Sequence, residues 1–150
     1  MEIKVEDASL RLLDELCEIE ELCFKEEAFS KQQISYLLTD YNCISLVARV
    51  DNKIAGFIIG AIEMQRSFLV GHILTLDVAP AYSRRGAAQK LLQMIETLFK
   101  QKGAEECRLE VREDNVAALS LYKKLGYKVV VKLEHYYPTA HGLYLKKSLQ

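Results

Sequence analysis

Two stretches of the chain carry residues fit for chemistry. In the first, Leu74-Thr75-Leu76-Asp77-Val78 runs through Ala79-Pro80 into Ser83-Arg84-Arg85-Gly86-Ala87-Ala88-Gln89. A strand broken by proline and followed by small residues opening a helix leaves several backbone N–H groups without intrahelical partners, at the positive end of the helix dipole. Such a helix start is an anion site, suited above all to a phosphate or pyrophosphate. Gly86 removes a side chain where a ligand must approach the backbone, Ala87 and Ala88 keep that approach open, and Arg84 and Arg85 add two positive charges at its mouth. Taken alone, the same residues also read as an ordinary strand–helix turn with two solvated arginines.

The second stretch is Asn115-Val116-Ala117-Ala118-Leu119-Ser120-Leu121-Tyr122-Lys123-Lys124-Leu125-Gly126-Tyr127. Asn115 is a good helix N-cap and Gly126 a stop, with Ala118, Leu121 and Leu125 facing inward. Tyr122 lies one turn beyond Ala118 and faces either the core or a cleft. Just upstream, period-two alternation puts Cys107, Leu109 and Val111 on one face of a strand and Arg108, Glu110 and Arg112 on the other. Glu110 is then either a general base facing a cleft or one charge of an exposed, cross-paired face. His72 reads as a packed strand residue rather than a base, and nothing assigns His135.

The elements that must hold these residues follow from periodicity and turn chemistry. Residues 2–6 alternate as a short strand, and 9–23 place Leu12, Leu16, Ile19 and Cys23 on one helical face. Ser30 with Gln33 three residues later is a capping box opening a helix to about Leu38. Apolar runs 43–50 and 54–64 flank Asp51-Asn52-Lys53, a hairpin signal, and a strand follows at 70–78. A helix from about Arg84 to Lys102 buries Ala88, Leu91, Leu92, Ile95, Leu98 and Phe99 on one face. Residues 106–112 form a strand, 115–125 a helix, and 127–134 with 142–149 a last strand pair. The expected order is β-α-α-β-β-β-α-β-α-β-β, a mixed α/β fold of about seven strands and four helices in one domain over 1–150. The central β-α-β unit makes strands 70–78 and 106–112 parallel neighbours.

Composition narrows the function classes. With 150 residues the chain suffices for one proper core, and a net charge of −1 argues against a general nucleic-acid binder. No apolar run approaches the roughly 20 residues that span a membrane, and the acidic, alternating N-terminus is unlike a signal peptide. Cys17, Cys23, Cys43 and Cys107 form no CxxC pair and have no histidine at metal spacing, so reduced thiols, no metal and a cytoplasmic location are expected.

The two stretches in this order resemble the GNAT superfamily of acetyl-CoA-dependent N-acetyltransferases. Val78-Ala79-Pro80 with Arg84-Arg85-Gly86-Ala87-Ala88 is similar to its pyrophosphate motif, and Asn115 to Tyr127 to its second cofactor motif. Leu109-Glu110-Val111-Arg112 and Tyr136-Tyr137-Pro138, with Cys23-Phe24 and Phe29-Ser30, are similar to the protein N-terminal α-amine acetyltransferases. These include the RimI-like ribosomal-protein alanine acetyltransferases and their archaeal relatives. Two departures stand out. Ser83 occupies a position usually Gln or Arg, and Thr139-Ala140-His141-Gly142-Leu143 replaces the usual acidic dipeptide after the double tyrosine.

The resemblance implies a role for each residue. Leu76, Asp77 and Val78 would line the pantetheine and acetyl carbonyl, with the Val78 N–H as the main oxyanion donor; such donors contribute about 3–4 kcal/mol each. Arg84, Arg85, Gly86, Ala87, Ala88 and Gln89 would hold the pyrophosphate, and Asn115, Ala118 and Tyr122 the rest of acetyl-CoA. Glu110 would take the amine proton through a water and Tyr122 would protonate the departing thiolate. Phe24, Phe29, Tyr136 and Tyr137 would sandwich the first residues of a peptide, with Glu26 and Glu27 either drawing an ammonium or simply solvated. The expected substrate is a protein N-terminus, a ribosomal protein among the possibilities, and the expected state a monomer or weak dimer. An acetyltransferase for a small amine or for lysine, and a non-catalytic acetyl-CoA-binding module, are the alternatives.

Overall fold

The computed structural model describes residues 2–150. The alternating and β-branched runs become strands at Ile3–Asp7 (β1), Cys43–Val50 (β2), Lys53–Gln65 (β3), Phe68–Val78 (β4), Ala104–Arg112 (β5), Lys128–Tyr137 (β6) and Ala140–Ser148 (β7). The helices are Leu13–Phe24 (α1), Lys31–Thr39 (α2), Ala87–Gln101 (α3) and Val116–Lys124 (α4). Along the chain the strands and these helices follow the order read from the sequence, and in space one sheet runs β1-β2-β3-β4-β5-β7-β6. Every neighbouring pair is antiparallel except β4 and β5, which run parallel because the chain crosses over through α3.

Local chemistry accounts for the turns. Asp51 and Asn52 both adopt positive φ, 51° and 68°, the conformation of a two-residue hairpin loop whose twist matches its strands. Ser30 accepts the Gln33 N–H at 3.1 Å and the Gln33 side chain accepts the Ser30 N–H at 2.8 Å, closing the capping box at α2.

Residues alternate between two cores. On one side of the sheet, Leu91, Leu92, Ile95 and Phe99 of α3 pack with Leu46, Ile58, Ile73, Leu109 and Tyr122. On the other, Leu16 and Ile19 of α1 and Ile34 of α2 pack against Val47, Phe57 and Ile59. A Cβ on Gly71 would run into the Phe99 ring, so this glycine sets how closely α3 lies on the sheet. The end of α1 and the loop after it face β5 and the β6–β7 hairpin, where the cavity described below opens.

Several boundaries differ from the periodicity reading. α3 begins at Ala87 rather than near Arg84, because a 3-10 turn at Pro80–Tyr82 is followed by Arg84 and Gly86 at φ 63° and 90°. α1 is preceded by a 3-10 turn at Leu10–Leu12. β6 runs three residues further than expected, to Tyr137, bending at His135 (φ 55°), where its register with β7 shifts.

Candidate active site

A break in the sheet creates the site. β4 and β5 pair from Leu69↔Ala104 to Ile73↔Leu109, with no pairing recorded beyond. At the same level Ile59 opposes Thr75 while Gly60 opposes Ile73, so Leu74 is an extra residue in β4. The bulge turns β4 to follow β3 as far as Val78, and the two parallel strands splay. The Ala79 N–H is bonded to Ala55 on β3 at 2.8 Å. Because N–H groups alternate sides along a strand, those of Leu76 and Val78 face the gap. Asp77 presents neither its N–H nor its side chain there; the side chain is fully buried under α1.

Next to the gap, α3 starts without any side-chain cap, leaving the N–H groups of Ala87, Ala88 and Gln89 without intrahelical partners. Gly86, at φ 90°, has nothing within 4 Å of where a Cβ would stand, so the approach to that helix end is clear. The chemistry of these donors suits a doubly charged pyrophosphate. Arg85 stacks on the Tyr82 ring at 5.8 Å, and the Ser83 hydroxyl is turned back onto the Pro80 carbonyl at 3.0 Å.

A cavity of about 530 Å³ occupies the splay. Glu110, Tyr122, Leu76, Asn115 and Ala118 line it together with Phe24, Phe29, Tyr136 and Tyr137. Val78 and the Arg84–Gln89 segment lie outside this cavity lining. Asn115 spends its side-chain oxygen on the Ala118 N–H at 3.2 Å, which leaves its NH₂ to donate. Tyr122 is 7% exposed, and burial, reinforced by Cys107, Asp77 and Tyr137, pushes its phenol above the ordinary range. It is a neutral O–H donor at any working pH.

Glu110 does not stand alone. Its Oε1 meets His72 Nε2 at 2.7 Å, and the other ring nitrogen, Nδ1, lies 3.0 Å from Glu63 Oε2. Burial alone would lower the His72 pKa, but the bonds and charges of Glu110 and then Glu63 outweigh it, raising it to about 9. His72 is therefore an imidazolium near neutral pH. The sequence reading missed this because the three residues sit on three different strands, and a lone histidine at a strand position gives no sign of its neighbours.

Two more links close the groove. Arg112 joins the 23–30 loop to the β6–β7 hairpin, donating to Glu27 and to Thr139 Oγ1 while standing over the Tyr137 ring. Glu27 is thus paired, and neither a free lure for an ammonium nor a solvated charge. Beneath the loop, the Glu20 carboxylate is buried, accepting the Phe29 N–H at 3.0 Å and the Thr75 hydroxyl at 2.9 Å. Thr75 Oγ1 also lies 2.5 Å from Asp77 Oδ1. A hydroxyl has one proton to give, so it cannot donate to both; burial, and then the nearby Glu20 carboxylate, push the Asp77 pKa well up, which makes Asp77 the partner that holds a proton and donates back. Helical spacing puts Glu20 on the apolar face of α1, one turn after Leu16 and beside Ile19, but gives no sign of Thr75 or the Phe29 N–H as its partners.

The sequence and the fold have counterparts among known proteins. The model of the "Acetyltransferase (GNAT) family" matches residues 11–127. An N-alpha-acetyltransferase of Sulfurisphaera tokodaii is 34% identical over 153 residues, covering 96% of this chain and 91% of its own length. The ribosomal-protein-S18-alanine N-acetyltransferase of Escherichia coli superposes with a TM-score of 0.89 at 20% identity, over 99% of this chain and 95% of that one. Arabidopsis thaliana Naa50, solved with the bisubstrate analogue CoA-Ac-MVNAL, superposes at 0.85 with 19% identity over 99% of both chains. A family match over residues 11–127, on a fold shared with such enzymes from end to end, makes this chain a member of the GNAT family of acetyltransferases.

Proposed function

We propose that this chain transfers the acetyl group of acetyl-CoA to the N-terminal α-amine of a protein or peptide. One observation carries the reading: the splay of β4 from β5 opens into a cavity that holds a carboxylate, Glu110, and a phenol, Tyr122, between two aromatic walls. The name of the Sulfurisphaera tokodaii relative supports the choice of acceptor. The open start of α3 and the gap-facing N–H groups of Leu76 and Val78 suit a pyrophosphate and pantetheine.

Bound acetyl-CoA supplies an acetyl thioester. The Val78 N–H, aimed into the gap, receives the carbonyl oxygen as negative charge develops on it, and Leu76 N–H and the Asn115 amide orient the neighbouring polar groups. Glu110 takes a proton from the attacking amine through one water, using the oxygen that His72 leaves free. Tyr122 gives its proton to the sulfur as the C–S bond breaks, and solvent restores it. An α-amine, with a pKa near 8 against about 10.4 for lysine, suits so weak a base. Phe24, Phe29, Tyr136 and Tyr137 flank the entry, and the Glu27–Arg112 link bridges it, so a chain end threads in. We take the substrate to be a cytoplasmic protein, with a ribosomal protein among the candidates, and the enzyme to act as a single 1–150 domain.

The test is acetylation of a peptide library varied at its first two residues, beside lysine peptides with blocked N-termini. Acetylation of the free N-termini and not of the blocked peptides is the expected result. Preference for the lysine peptides, or for polyamines, overturns the choice of acceptor.

A further inference from the structure

We propose that Glu63, on β3 and outside the cavity, is a positioning residue of the acetyl-transfer site: through His72 it fixes where the Glu110 carboxylate stands. The proposal rests on the reading of Glu110 as the base.

The sheet makes the arrangement. His72 pairs with Ala61 on one side and Arg108 on the other. Glu63 and Glu110 stand two residues beyond those partners, so all three side chains share one face and the imidazole spans diagonally between the carboxylates. Side-chain exposure falls from 42% at Glu63 to 22% at His72 and 19% at Glu110, from solvent toward the cavity. A carboxylate only accepts hydrogen bonds. Glu63 therefore pins a proton on Nδ1 and fixes the ring so that Nε2 meets Glu110 at 2.7 Å. Held this way, the ring occupies Glu110 Oε1 and leaves Oε2 for a water. This is the logic of a catalytic base oriented by a neighbour that is itself oriented by a third group.

The charge matters as much as the geometry. While His72 is an imidazolium each of its two N–H groups is held by one carboxylate. As His72 loses its proton, near its pKa of about 9, one of these bonds is lost, Glu110 is no longer held in place, and the rate falls. Arg108 on β5 stands opposite His72 and Tyr144 on β7 opposite Glu110 on the same face. Also facing this line are Cys43 on β2, whose thiol burial pushes up to about 11, and Tyr136 and Tyr137 on β6, both held above the ordinary phenol range by burial first; these three do not titrate between pH 6 and 9.

The experiment compares the parent with Glu63→Gln and Glu63→Asp. Side-chain ¹⁵N shifts of His72 report its tautomer and titration, and kcat is followed from pH 6 to 9.5 with whichever amine the parent acetylates best. Glu63→Gln keeps an acceptor at Nδ1 but loses the charge. Its His72 midpoint should fall by about one pH unit, the scale of one lost neighbouring charge. The limb on which kcat falls should move down by the same amount, from a plateau about three- to tenfold lower, with the acetyl-CoA KM unchanged. Glu63→Asp, which keeps the charge at shorter reach, should recover part of the loss. Because Glu63 is partly exposed, Glu63→Gln should still fold, with stability lowered modestly below about pH 9 by the weakened His72 pairing. A Glu63→Gln enzyme with kcat and His72 profiles superimposable on the parent overturns the proposal. If His72 shifts but the kcat limb does not, the coupling is real and Glu110 is not the base, so the failure falls on the proposed mechanism. A parent that prefers a small amine overturns only the acceptor, and Glu63 is then judged on that amine.

Discussion

At the scale of single residues, the proposed mechanism divides the proton transfers between Glu110 and Tyr122, and their surroundings set how each variant should behave. Glu110→Gln should lower kcat by about 10²–10³-fold, within the range of general-base loss, with acetyl-CoA binding nearly unchanged. The deficit should shrink toward high pH, where more of the amine is already neutral; a constant deficit from pH 7 to 9.5 would mean that Glu110 only holds the peptide. Tyr122 gives its proton up less readily than a free phenol, because burial opposes the tyrosinate. Its part is therefore a hydrogen bond that becomes a transfer late, as negative charge gathers on sulfur. Tyr122→Phe keeps the ring that packs with Ile95 and Leu109 in the core and removes only the donor. It should cost about tenfold in kcat, the low end of proton-transfer catalysis. An acetyl donor with a more acidic thiol should recover much of the loss. Equal activity of Tyr122→Phe and the parent on acetyl-CoA would assign the tyrosine to packing.

At the scale of elements, the deciding events are where β4 leaves β5 and how α3 begins. The apolar face of α3 was legible because Leu91, Leu92, Ile95 and Phe99 recur at helical spacing, and the capping box announced α2 by its own chemistry. The bulge at Leu74 was not legible: it is a mismatch of register between strands, and alternation within β4 looks regular. The start of α3 was misplaced because left-handed backbone at Arg84 has no signature in a side chain that favours helix elsewhere. The aromatic walls and Glu110 could be named from motifs, whereas His72 with Glu63, and Glu20 with Asp77, depend on neighbours far along the chain. The α3 entry carries its own prediction. Gly86 sits at φ 90° with open space before it, so a side chain there meets backbone strain rather than a neighbour, and projects into the approach to the helix N-terminus. Gly86→Val should raise the acetyl-CoA dissociation constant at least tenfold by calorimetry, while Ser83→Ala should leave it within about twofold, because that hydroxyl is bonded to its own turn. Unchanged affinity in Gly86→Val would move the pyrophosphate elsewhere.

At the scale of the whole molecule, the site imposes a dependence of stability on pH. Asp77 holds a proton in the folded state that it loses in the unfolded chain above its ordinary pKa near 3.9. The folded state therefore binds more protons, and stability falls as pH rises from about 4 toward the raised folded value. His72 acts in the same direction over a later window. Its favourable pairing with Glu110 and Glu63 is fully present below pH 6.5 and is lost as pH climbs through about 9. The protein should unfold at a lower denaturant concentration at pH 9 than at pH 6. Asp77→Asn separates the two contributions. The amide keeps a donor toward Thr75 and places a neutral oxygen where Asp77 Oδ2 is buried without a partner, and its state does not change with pH. The variant should be more stable than the parent at pH 7–8, and the advantage should disappear near pH 4, where the parent's carboxyl is protonated folded or unfolded. The fall between pH 7 and 9 that belongs to His72 should remain in Asp77→Asn. Equal stability of the two proteins at pH 8 would mean that Asp77 is ionised in the folded state.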